Sequence, residues 1–160
     1  MTIKTFNILC DKVLLNLKYK SEYKKLCKDL SDYDNHKNII KKEALRIKKE
    51  LKLDFNVAGS DKMFYKDYYF GDLQLRFMTS YGYGMIGSSY RVFKGMKDNS
   101  IPSFSYRKIS ESNKRHEEDY IMTYPIITNI EQYKTVLKLV LKINEDFIRL
   151  FAKEMSSIKN

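Results

Sequence analysis

Between Asn129 and Lys159, apolar side chains return every three or four residues: Ile130, Tyr133, Leu137, Val140, Leu141, Phe147, Ile148, Phe151, Met155 and Ile158. A stripe of that length with charged residues opposite is one amphipathic helix, and it needs a partner layer along its apolar side. Thr128 or Asn129 is a suitable cap, and Pro125 stands just upstream. The rest of the chain must supply the layer on which this helix lies.

The period supplies it. From Leu53 onward, side chains alternate with a period of two. Phe64, Tyr68 and Phe70 alternate with Tyr65, Asp67 and Tyr69; Leu73, Leu75 and Phe77 with Asp72, Gln74 and Arg76; Tyr90 and Val92 with Ser89, Arg91 and Phe93. Gly71-Asp72 predicts a tight turn between the first two runs, and Tyr81–Gly84 joins the second to the third. Two shorter strands are expected at Phe104–Arg107 and Tyr120–Ile126, with a polar loop at Ser110–Glu118 between them. Residues 1–52 read as helical. Ile3, Phe6, Cys10, Val13, Leu14 and Leu17 form one stripe, and Tyr23, Leu26, Cys27 and Leu30 continue it after a break near Lys20–Ser21. A third helix follows the turn-forming cluster Ser31–Asn35, with Ile40, Ala44, Ile47 and Leu51 inward. The expected fold is one α+β domain over residues 1–160. An antiparallel β-meander of about five strands (53–128) carries the N-terminal helices (1–52) and the closing helix (129–160) on one face.

Charge narrows the function. Thirty basic against twenty acidic residues give a formal net charge of +10, which invites a nucleic-acid or anionic-surface reading. Twenty-four of the thirty are Lys and only six are Arg, the bidentate reader of phosphates and base edges. Lys, Asn, Ile, Tyr and Phe are all abundant, as an AT-rich genome would favour, so part of the charge is compositional. Before Leu53 there are fourteen basic and seven acidic residues, and the third helix carries Lys41, Lys42, Lys48, Lys49 and Lys52 on one side. Those five are the candidate phosphate-binding residues of a nucleic-acid-binding alternative.

The apolar residues of MTIKTFNILCDKVLLNLKYK are interrupted by charges and do not read as a signal peptide. No run approaches the roughly 18 apolar residues of a membrane span. Cys10 and Cys27 fall within helical apolar patterns rather than a disulfide framework, so a cytoplasmic location is expected.

Gly82-Tyr83-Gly84-Met85-Ile86-Gly87 spells G-x-G-x-x-G, but the Ser-Ser-Tyr-Arg-Val-Phe that follows is strand-like. A dinucleotide site needs a helix there, and an acidic residue about 20 positions on. The H-R-D and D-F-G elements of a kinase are missing. Asp72-Leu73-Gln74-Leu75-Arg76 echoes the D…(D/E)-x-K pattern of metal-dependent nucleases, with Gln74 and Arg76 replacing the required acid and Lys. His36 and His116 are the only histidines and no C-x-x-C pair occurs, so no metal site, cofactor or catalytic residue is expected.

The tyrosines remain. They cluster in the strand region, where Tyr suits both packing and recognition. Tyr81, Tyr83, Tyr90, Arg91, Arg107 and Arg115 are the candidate partner-binding residues, with the loop Ser110–Asp119 beside them. In layout (tyrosine-rich hairpins, a closing amphipathic helix, no catalytic signature) the chain resembles the immunity proteins paired with bacterial polymorphic toxins. That resemblance transfers no individual residues. It implies a non-enzymatic protein-binding module, an inhibitor of a bacterial toxin or effector, and a basic inhibitor suits an acidic partner surface.

Overall fold

The computed structural model describes residues 3–94, 97–106, 109 and 124–158. The alternating middle of the chain forms a meander. A three-residue strand β1 (Asn56–Ala58) is followed by β2 (Met63–Phe70), β3 (Leu73–Ser80), β4 (Ser88–Lys94) and β5 (Lys97–Ser105), paired antiparallel in sequence order. Gly71 turns β2 into β3 at φ +66, a backbone setting that suits glycine. The register places Phe64 opposite Thr79, Tyr68 opposite Leu75, Phe77 opposite Tyr90 and Leu75 opposite Val92. All of these share one face. Leu73, Leu75, Phe77 and Thr79 are buried while their neighbours Gln74, Arg76 and Met78 are only half-buried.

The strand edges differ from expectation. Strand β5 begins at Lys97, well before Phe104, and includes Pro102. It lies at the end of the sheet order, where a residue without an N–H is tolerated. Of the expected strand Tyr120–Ile126, residues 120–123 lie outside the described residues, and Ile126 makes an isolated bridge with Met85. The polar segment 110–119 also lies outside them. Strand β1 is too short for alternation to reveal.

Three N-terminal helices, α1 (Ile3–Leu15), α2 (Lys20–Asp29) and α3 (Lys41–Glu50), precede the sheet, and α4 (Ile130–Ile158) closes the chain. Phe6, Cys10, Val13, Leu14 and Leu17 enter the core as their spacing predicts. The break between α1 and α2 falls at 16–19, slightly earlier than expected. Ile40 does not point inward. It precedes the first turn of α3 and is 60% exposed, and Ile39 takes the core position instead. The Ile40 N–H donates to Glu43 Oε2 at 3.1 Å, which satisfies one of the free amides at that helix start.

Helix α4 has the length its stripe implies. Asn129 caps it, its Oδ1 accepting from the Gln132 N–H at 2.9 Å. The Phe147 ring stacks on Tyr90 at 4.1 Å and Phe151 meets Phe70 at 5.1 Å, so α4 lies on the inner face of the sheet. Phe6 of α1 reaches the same helix, 5.9 Å from Phe151. The stripe ends before Ile158, which is 56% exposed.

Two polar residues interrupt the buried side of α4. Asn144 Nδ2 donates to the Tyr68 hydroxyl at 2.7 Å, and its Oδ1 accepts from the Tyr90 hydroxyl at 2.9 Å. The Tyr90 and Tyr106 hydroxyls are 3.1 Å apart. Asp146 Oδ2 accepts from the Lys18 backbone N–H at 2.7 Å, which ties α4 to the α1–α2 connection, and its other oxygen is paired with Arg149. These directional bonds set the rotation and axial position of α4, which apolar contact alone would leave loose.

Candidate functional site on the open face of the sheet

Consecutive residues on a strand point to opposite faces. Tyr90 and Arg91 therefore cannot meet the same partner. Tyr90 is fully buried, packed on Phe77 and Phe147 and bonded to Asn144. Tyr81 is also buried, its ring 5.4 Å from Phe64. Neither can form part of a contact surface, and both belong to the core. Tyr83 is 49% exposed, but it leans on the β1–β2 connection: Lys62 Nζ lies 5.3 Å from its ring, and its hydroxyl donates to the Asp61 carbonyl at 3.4 Å. Arg91 is exposed on the face away from the helices. Arg107 and Arg115 lie outside the described residues.

That outer face is built from three cross-strand rows. The central one runs Asp67–Arg76–Arg91; on either side run Tyr69–Gln74–Phe93 and Tyr65–Met78–Ser89. None of Tyr65, Tyr69, Met78 or Phe93 belongs to the hydrophobic core or packs against it. Arg76 organises the face. Its Nε and Nη2 donate to the two Asp67 oxygens at 2.7 and 2.9 Å, and its guanidinium carbon lies 4.5 Å from the Tyr65 ring and 5.5 Å from Phe93. The paired, stacked guanidinium is held in one place. Its hydrogen bond to Asp67 holds that carboxyl below the usual carboxylate range, and the same bond raises the guanidinium. Tyr69 is 70% exposed beside it. Arg76, Tyr65 and Tyr69 lie outside the contact surface expected from the sequence, the hairpin Tyr81–Phe93, whereas Phe93 closes that hairpin. The signal was available in the alternation: they are the residues out of phase with Leu75, Phe77 and Val92.

At one end of this face, Met63, Tyr83, Met85 and Tyr124 border a shallow depression of about 250 Å3. The glycine-rich connection above it is a structural staple. Gly84 takes φ +68 directly against His36, where an added Cβ would stand 2.3 Å from the His36 Cδ2. The Ile86 N–H donates to the Pro125 carbonyl at 3.1 Å, the Gly87 N–H to Ser80 Oγ at 2.9 Å, and the Ile127 N–H to the Gly84 carbonyl at 2.9 Å. These groups are committed to the fold, and the connection runs directly into strand β4. The helix start that cradles a phosphate does not follow it.

Of the five lysines of the alternative site, Lys41, Lys42, Lys48 and Lys49 lie on α3, whereas Lys52 falls beyond its end, where the backbone has turned to φ +51. Lys41, Lys42, Lys49 and Lys52 are exposed and Lys48 is half-buried. Among the described residues none of the five forms an ion pair, whereas Arg46 pairs with Glu50 at 3.5 Å and Lys134 with Glu50 at 2.6 Å. Also among the described residues, no cluster of three or more His, Cys, Asp or Glu could hold a metal ion. No described helix is long and apolar enough to cross a membrane. No protein-family model, no curated protein and no solved structure matches the chain.

Proposed function

We propose that this chain is a non-enzymatic protein-binding module that engages an acidic partner through the outer face of its sheet. The observation that carries the proposal is Arg76, pinned by Asp67 and stacked against Tyr65 and Phe93 on a face where no described helix packs. Aromatic and Arg side chains are the commonest energetic anchors of protein interfaces, and rigid ones lose little entropy on binding. The resemblance in layout to the immunity proteins of bacterial polymorphic toxins supports an inhibitory role in the bacterial cytoplasm, with a toxin or effector as the partner.

The four lysines of α3 and the neighbouring Lys52 support a second reading, a nucleic-acid-binding protein, because none of the five has an ion-pair partner among the described residues. Lysines on an exposed helix are also the ordinary composition of a solvated surface.

A photo-crosslinking residue placed at Tyr69, and in a separate protein at Lys49, distinguishes the two readings inside producing cells. The expected outcome is a protein adduct from position 69 and none from position 49. Nucleic-acid adducts at position 49, with nothing at position 69, would reverse the assignment. In that case affinity for an oligonucleotide would fall with salt at a slope of about −0.7 to −0.9 per phosphate neutralised.

A further inference from the structure

Like charges directly opposite each other on one face of a sheet destabilise the strand pair. Arg76 and Arg91 are such a pair, Cα partners on β3 and β4. Arg76 is compensated by Asp67. Arg91 is exposed, and among the described residues it forms no ion pair. Among the described residues the central row of the face thus carries one uncompensated positive charge, framed by Tyr65, Tyr69 and Phe93. Asp67 occupies Nε and Nη2 of Arg76, so Nη1 remains for a second acceptor. Resting on the protein-binding reading, we propose that Arg76 and Arg91 form a clamp for a single carboxylate, an Asp or Glu side chain of the partner.

The chemistry selects a carboxylate. A nucleic-acid strand needs cations in series along its phosphates, whereas this row offers one surplus charge between aromatic rings, the setting of one acidic side chain within an otherwise apolar contact. A like-charge pair in which one member, Arg91, has no ion-pair partner among the described residues is also the kind of local rule-breaking that function maintains.

The test is an NMR titration of the isotopically labelled full chain, observing backbone amides and arginine Nε groups. The probes are a poly-glutamate peptide and, separately, an oligothymidylate of equal length. Poly-glutamate is expected to shift the Arg76 and Arg91 Nε signals. The Arg91→Gln variant should lose at least about tenfold in affinity while melting at the same temperature as the parent or higher, because the repulsion across the pair is relieved. A structural role would lower its melting temperature instead, and that result would overturn the clamp. Binding that survives Arg91→Gln but is lost in Tyr69→Ala would sink the clamp and leave the protein-binding face standing. If poly-glutamate shifts nothing, the clamp also fails. Arginine shifts caused only by oligothymidylate would sink the clamp and the protein-binding reading together.

Discussion

Gly84 is where one atom decides the conformation of a loop. Its φ of +68 is disfavoured for any residue with a Cβ, and the His36 ring fills the space that Cβ would need. Gly84→Ala is expected to cost about 1–2 kcal/mol. Adding His36→Gly to that variant removes the ring and the Cβ, which would stand 2.9 Å from the new methyl group, and should recover only the steric part, leaving the backbone strain at position 84. Urea denaturation of the two variants separates the contributions; full recovery in the double variant would show that φ at this position carries no penalty. Asn144 is the second such residue. Replacing it with Leu removes two hydrogen bonds, to the Tyr68 and Tyr90 hydroxyls; Tyr90 keeps Tyr106 as a partner, so the expected loss is that of the bonds themselves, about 0.5–1.5 kcal/mol each. The Asn144→Leu midpoint in urea should fall accordingly, and an unchanged midpoint would mean that water replaces the amide.

Helix α4 and strands β2 to β4 were legible in the sequence because their periods run long enough to be unambiguous. The stripe of α4 predicts where burial stops as well as where it starts. Phe151 is fully buried, and Phe151→Ala should cost about 3–5 kcal/mol. Ile158 continues the same period but is more than half exposed, and Ile158→Ala should stay within about 0.5 kcal/mol of the parent. A comparable loss at both positions would mean that the last turn packs on something beyond the described contacts. What the pattern could not show is which polar residues on a buried stripe are bonded. Asn144 and Asp146 look like interruptions in sequence, and their partners Tyr68, Tyr90 and Lys18 are remote along the chain. At the candidate site, alternation separates Tyr90 from Arg91 and assigns them to opposite faces of β4. Tyr81 is a different case: it lies beyond the last residue of β3, where alternation no longer assigns a face.

On the scale of the whole molecule, the high tyrosine content becomes a statement about pH. Burial holds the hydroxyls of Tyr23, Tyr90, Tyr106 and Tyr133 above the ordinary tyrosine pKa, which is about 10, and pushes the Cys27 thiol up to about 12. For groups raised in this way, the unfolded chain releases protons that the folded chain retains. Their stabilisation is complete below the unfolded pKa and is lost as pH rises from there towards the folded one. Each group removes about 1.4 kcal/mol per pH unit in that window, so four tyrosines together remove roughly 5. A domain of ordinary stability, about 5–15 kcal/mol, is exhausted within about one to three units. The protein should therefore unfold cooperatively starting near pH 10, with ionisation of the four buried tyrosines and loss of circular dichroism falling in a single transition. At the acid end, Asp67 is held low by Arg76 and contributes above about pH 4, but its pair is partly exposed and small in effect. A smooth tyrosine titration that is complete before any loss of structure would refute the burial of that cluster, and with it the packing of α4 against the sheet.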